Sequence, residues 1–167
     1  MNPETPMSVS ARSAEVGDLA QLARMYEALE GEQSAIREIW PDADGLIRPI
    51  DATLLALLDA SDAEVVIGEI DDVPVGFLVT EEAPLVAPRQ AERIGSIRYI
   101  FTDHEARGVG VAAAMLAFAH DEMRRSGIRL FDARVSPGHR LAKNFFESHG
   151  FKARSITMHR TEESGNL

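Results

Sequence analysis

The stretch Arg107-Gly108-Val109-Gly110-Val111-Ala112 lies between an extended run at residues 97–102 and a helical run at 111–125, and it limits this chain's architecture more than any other. A glycine-rich turn that carries a strand into a helix leaves backbone N–H groups without partners and sets the positive end of the helix dipole beside them. Such a place suits phosphate. Glycine at 108 and 110 removes side chains that would hold an anion off, and Arg107 adds a guanidinium whose fork matches phosphate oxygens. A strand must therefore deliver its end to the start of a helix, and the ligand should carry phosphate.

Three kinds of phosphate site compete for the turn. A nucleoside-triphosphate loop requires Gly-x-x-x-x-Gly-Lys-Ser/Thr, and no lysine follows either glycine before the helix is under way. A dinucleotide fingerprint matches in spacing, with Gly108, Gly110 and Ala113 in its three small positions and Asp132 ending a later extended run. Its turn should follow the strand directly, whereas residues 103–106 intervene here. An NAD(P)-binding oxidoreductase stays open on the spacing alone. The third pattern is Gln/Arg-x-x-Gly-x-Gly/Ala, filled by Arg107, Gly110 and Ala112. With the strand before it, the amphipathic helix after it, a strand at 128–135, a further helix and Gly150-Phe151, the series resembles the GCN5-related N-acetyltransferases, the GNAT family. The resemblance implies an α/β (α+β) domain with a mixed, mostly antiparallel central sheet flanked by helices. It also implies a sheet splayed between the strand before and the strand after the central helix. Residues 1–167 would form one such domain, with an acetyl-coenzyme A core at about 93–151.

The bulk properties agree with one soluble domain. At 167 residues and 45% hydrophobic, the chain can bury about two thirds of its unfolded surface. It has no cysteine, so disulfides, thiolate metal sites and a cysteine nucleophile are excluded. The first six residues lack the basic and apolar blocks of a secretion signal, and no run is long enough for a membrane span, so a cytoplasmic location without membrane partners is expected. Charge is uneven: residues 1–123 carry 8 Lys/Arg against 23 Asp/Glu, whereas 124–160 carry 9 against 2. The basic part falls where the resemblance places coenzyme A phosphates, and the acidic part would draw in an amine. A net charge of -10 repels nucleic acid.

Along the chain, residues 9–12 are extended, and Leu19, Leu22, Ala23, Tyr26 and Leu29 recur at helical spacing up to Gly31. A short helical piece holds Ile36, Ile39 and Trp40, and Asp51 caps a helix over 53–59. Residues 65–70 and 73–80 read as a hairpin around Asp71-Asp72. Residues 81–92 read as loop. Ser136 and Pro137 open a helix whose inward stripe is Leu141, Ala142, Phe145 and Phe146, and 151–160 returns as a strand before a frayed tail at 161–167. The last strand and the 81–92 loop are the surfaces open to a second copy.

The resemblance implies acetyl transfer from acetyl-coenzyme A to a small-molecule primary amine, small and cationic, by direct attack and without a metal. The donor's arm would lie along Ile100, Phe101 and Thr102, and its pyrophosphate on Arg107, Gly108, Val109, Gly110, Val111 and Ala112. His139, Arg140, Lys143 and Phe146 would meet the rest of it. The chain departs from the family pattern where proton chemistry is concerned. Phe146 replaces a common tyrosine acid, Arg98 a common glutamate base, and His139 an asparagine that orients the donor. Catalysis could run on positioning alone, or His139 or Tyr99 could carry the proton, with His159 a more distant base. The departures also leave open a non-catalytic module that holds coenzyme A. His120 is expected to face solvent.

Overall fold

The computed structural model describes residues 6–84 and 92–162. Most of the 81–92 loop and the end of the tail thus lie outside the described residues. Strand β1 (Val9–Ser13) leads through a short 3-10 turn into α1 (Leu19–Ile36), followed by α2 (Trp40–Ala43) and α3 (Ile50–Asp59). Then come β2 (Ala63–Ile70), β3 (Val73–Pro84), β4 (Arg93–Thr102), α4 (Val111–Arg125), β5 (Leu130–Ala133) and α5 (Arg140–Ser148). The five strands lie in chain order in one sheet, antiparallel from β1 to β4 and parallel only between β4 and β5. The hairpin of β2 and β3 turns on Asp71 and Asp72, both at positive φ, as a tight two-residue turn requires.

Alternation along the strands feeds a core on each face. Val65, Ile67, Phe77, Val79, Tyr99 and Phe101 point to α1 and α3, where they meet Leu22, Met25, Tyr26 and Leu54. Val66, Leu78 and Ile97 point the other way, to Val111, Met115, Ala119 and Met123 of α4 and Phe146 of α5. Gly68 and Gly76 oppose each other across β2 and β3, and Met115 packs against both. Helix α4 therefore lies close on the sheet.

Several expectations need correction. Gly31 does not end the first helix, because Leu29 and Gln33 are buried on one face and packing carries α1 on to Ile36. Strand β3 runs to Pro84, since Glu81 and Glu82 pair with Ser96 and Gly95 of β4 and their carboxylates meet Arg98 and Arg93 of the same strand. The last helix begins at Arg140 and not at Pro137, because Gly138 turns the chain at φ +94°. Strand β5 is shorter than 128–135. No strand forms over the described residues 151–160, where Ile156 and Met158 stand exposed.

Candidate active site

Strands β4 and β5 start as a parallel pair and then part. Their register runs from Ile94 with Leu130 to Ile97 with Ala133, and Arg134 N–H gives a last bond to the Ile97 carbonyl at 3.0 Å. Past Ile97 a bulge displaces Arg98, and β4 goes on to Thr102 bonded only to β3. The gap opens into a cavity of about 350 Å³. Ile100, Phe101 and Thr102 form its strand wall, and Arg107, Gly108, Gly110, Val111 and Ala112 its base. Helix α5 contributes Leu141, Ala142, Phe145 and His149, with His139 just ahead of it, while α1 contributes Leu29 and Glu32.

The base is a helix start. Gly110 caps α4 at φ +100°, a conformation that side chains resist, and Ala114 N–H makes the first helical bond, to the Gly110 carbonyl at 2.9 Å. Val111, Ala112 and Ala113, whose N–H groups precede that bond, line the cavity. These amides can accept an anion without help from any side chain.

Arg107 is directed otherwise than the sequence suggests. Its Nε donates to the Thr102 carbonyl at 2.9 Å and its Nη2 to Glu32 Oε1 at 2.6 Å, with the guanidinium over the Phe101 ring. It braces the turn against β4 and α1. Half-buried His139 stands beside this pair, and its Nδ1 is buried with no hydrogen-bond partner. Burial lowers its proton affinity below the ordinary histidine range, with Glu32 pulling upward and Arg107 downward.

The other expected site residues are scattered. Tyr99 is outside the cavity: its hydroxyl donates to the Asp44 carbonyl at 2.6 Å, and its ring sits edge-on to Tyr26 and Trp40. Burial pushes that hydroxyl well above the ordinary tyrosine range. Tyr99→Phe is expected to leave acetyl transfer unchanged while costing about 1 kcal/mol of stability, measured by turnover and urea unfolding. Phe146 lies in the core between α4 and α5, Lys143 pairs with Glu147 at 2.7 Å, and Val109 and Arg140 are exposed beside the cavity without lining it. Arg98 is held by both carboxylate oxygens of Glu81. His159 contacts Thr161, outside the cavity. His120 does not face solvent: it lies between Phe131 and Phe151, its Nε2 buried without a partner. Among the described residues, no three His, Cys, Asp or Glu side chains gather as metal ligands would, and no helix is long and apolar enough to cross a membrane.

Sequence spacing missed Leu29, Glu32, Phe145 and His149 as cavity residues. A signal existed for Phe145 and His149, which share a face of α5 with Leu141. None existed for Glu32, whose place depends on where α1 crosses the sheet.

The acetyltransferase (GNAT) family model matches residues 22–151. Among solved structures, a ribosomal-protein-alanine N-acetyltransferase from Brucella melitensis biovar Abortus 2308 superposes with a TM-score of 0.69 at 20% identity, over 93% of this chain and 100% of its own. A predicted acetyltransferase from Clostridium acetobutylicum, solved with acetyl-CoA, gives 0.69 at 15%, over 92% and 96%. AAC(6')-Iy, in complex with the bisubstrate analogue CoA-S-monomethyl-acetylneamine, gives 0.69 at 19%, over 93% and 99%. Among curated proteins none matches the sequence.

Proposed function

The chain belongs to the acetyltransferase (GNAT) family, and from that premise we propose that it moves an acetyl group from acetyl-coenzyme A to a small cationic primary amine by direct attack. One observation carries the reading: the cavity opened by the parting of β4 and β5 ends on the uncapped amides of α4. The unpaired edge of β4 past Ile97 can bond an amide-bearing arm as it would bond another strand. The N–H groups of Val111 to Ala113 suit a pyrophosphate at the other end. The thioester supplies an activated acyl group. In the transfer a C–N bond forms at the carbonyl, the C–S bond breaks, the thiolate takes up a proton, and the amine gives one up.

His139 is the group this chain offers for the amine's proton. It lines the cavity, and its lowered affinity keeps it neutral at pH 7. Tyr99 is committed elsewhere. A cationic acceptor agrees with the acidic balance of residues 1–123, which carry 23 Asp/Glu against 8 Lys/Arg.

Calorimetric titration with acetyl-coenzyme A and NADH, followed by thiol release against a panel of amines, tests the reading. Acetyl-coenzyme A should bind and NADH remain silent. Gly110→Ala, which strains the helix start, should weaken binding about 10- to 100-fold, the worth of one or two charge-assisted bonds. Binding of NADH with acetyl-coenzyme A silent would replace this reading by the dinucleotide one.

A further inference from the structure

Three charged or titratable side chains from separate elements line the cavity: Glu32 from the second half of α1, Arg107 from the turn before α4, and His139 at the cap of α5. Helix α1 brings Glu32 there by crossing the end of β4. Arg24 pairs with Asp103 at 3.1 Å, Glu32 with Arg107 at 2.6 Å, and Ile36 reaches Gly138, one residue from His139. Among the described residues, Glu32 is the only carboxylate on the cavity wall, and Arg107 the only permanent cation. Because His139 Nδ1 is buried without a partner, no direct hydrogen bond at that nitrogen settles the charge of the ring. Burial lowers its proton affinity most, and the neighbouring pair acts on it through space in opposite directions.

We infer that Glu32 is a positioning residue for the reaction, neutralising Arg107 on the cavity wall so that the imidazole of His139 can take up and hold the proton of the acceptor amine. The inference rests on the proposed role of His139. Its physical content is a balance of two charges of opposite sign beside a half-buried ring, each of them partly screened by solvent. With both present, their effects on the imidazole largely cancel. Without Glu32, Arg107 alone would repel the imidazolium. The remaining charges around His139 are the same in every variant: Arg37 beside Gly138, Arg140 and Lys143 on α5, the latter tied to Glu147, and His149, whose Nδ1 meets the Phe145 carbonyl.

The test is a ring-nitrogen NMR titration of the five histidines in the full chain, with the His139 signal assigned by its loss in His139→Gln. In Glu32→Gln its titration should move down by about 0.5 to 1 pH unit, and in Arg107→Gln up by a similar amount. The double variant should return near wild type, and Glu32→Asp, which keeps the charge, should stay there. A signal that does not move, or moves the same way in both single variants, overturns the inference. Because no acceptor is needed, this outcome is separate from the fate of the proton-carrier reading, which falls if His139→Gln transfers acetyl as well as wild type.

Discussion

Replacing His139 by glutamine is expected to lower kcat/KM for acetyl transfer by about 100- to 1,000-fold, the usual contribution of a placed acid or base. Glutamine keeps the size and a polar tip, so the cavity should retain its shape and acetyl-coenzyme A its affinity. The pH profile carries the sharper signature. A base works in its neutral form, and burial moves His139 below its ordinary 6.5. Wild-type activity should therefore persist at pH 7, fall only below the usual histidine range, and lose that acid limb in the variant. Initial rates between pH 5 and 9, with the best amine of the panel, decide the matter. A variant within about threefold of wild type and with an unchanged profile would mean that positioning alone drives the reaction, a mode with ample capacity in principle.

The largest stability effect is expected far from that chemistry, at Gly76 in β3. A Cβ there would stand 2.7 Å from the Phe101 carbonyl oxygen and 3.1 Å from Met115 Cε. The methionine end can give way, but the carbonyl belongs to β4 and cannot yield without shifting the strand that forms the cavity wall. Gly76→Ala should therefore cost about 2 to 3 kcal/mol, in the upper range for overpacking, and lower the urea midpoint. Gly31→Ala is the matched control. It lies inside α1 with nothing within 4 Å of a new Cβ, so the same substitution should stabilise by up to about 1 kcal/mol. Opposite signs from one chemical change would establish that close approach, and not glycine content, sets the cost.

Gly31 also marks what the sequence could and could not disclose. Local pattern was sufficient for the hairpin, for the strand, turn and helix around Arg107, and for the buried stripe of α4, because each is decided by neighbours within a few residues. It failed where distant parts decide. Gly31 carries a helix-ending signal that the burial of Leu29 and Gln33 overrides. Ser136 and Pro137 are good helix openers, yet the chain turns again at Gly138 beside Ile36. His120 sits on the polar side of α4 by helical count, but Phe131 and Phe151 close over it from outside the helix. Of the site, the amide-bearing turn was legible. Glu32 was not, since its meeting with Arg107 spans 75 residues of sequence.

A seam of unbonded strand and the first turn of a helix offer a ligand only atoms that every residue type possesses. Such a site can be inherited as a shape. Generations of substitution can exchange nearly every side chain around it and leave its donors and acceptors where they were, provided the few positions that forbid a side chain stay bare. The hereditary memory of the site then resides in its glycines and in the paths of two strands, while the identity of the acceptor is free to drift.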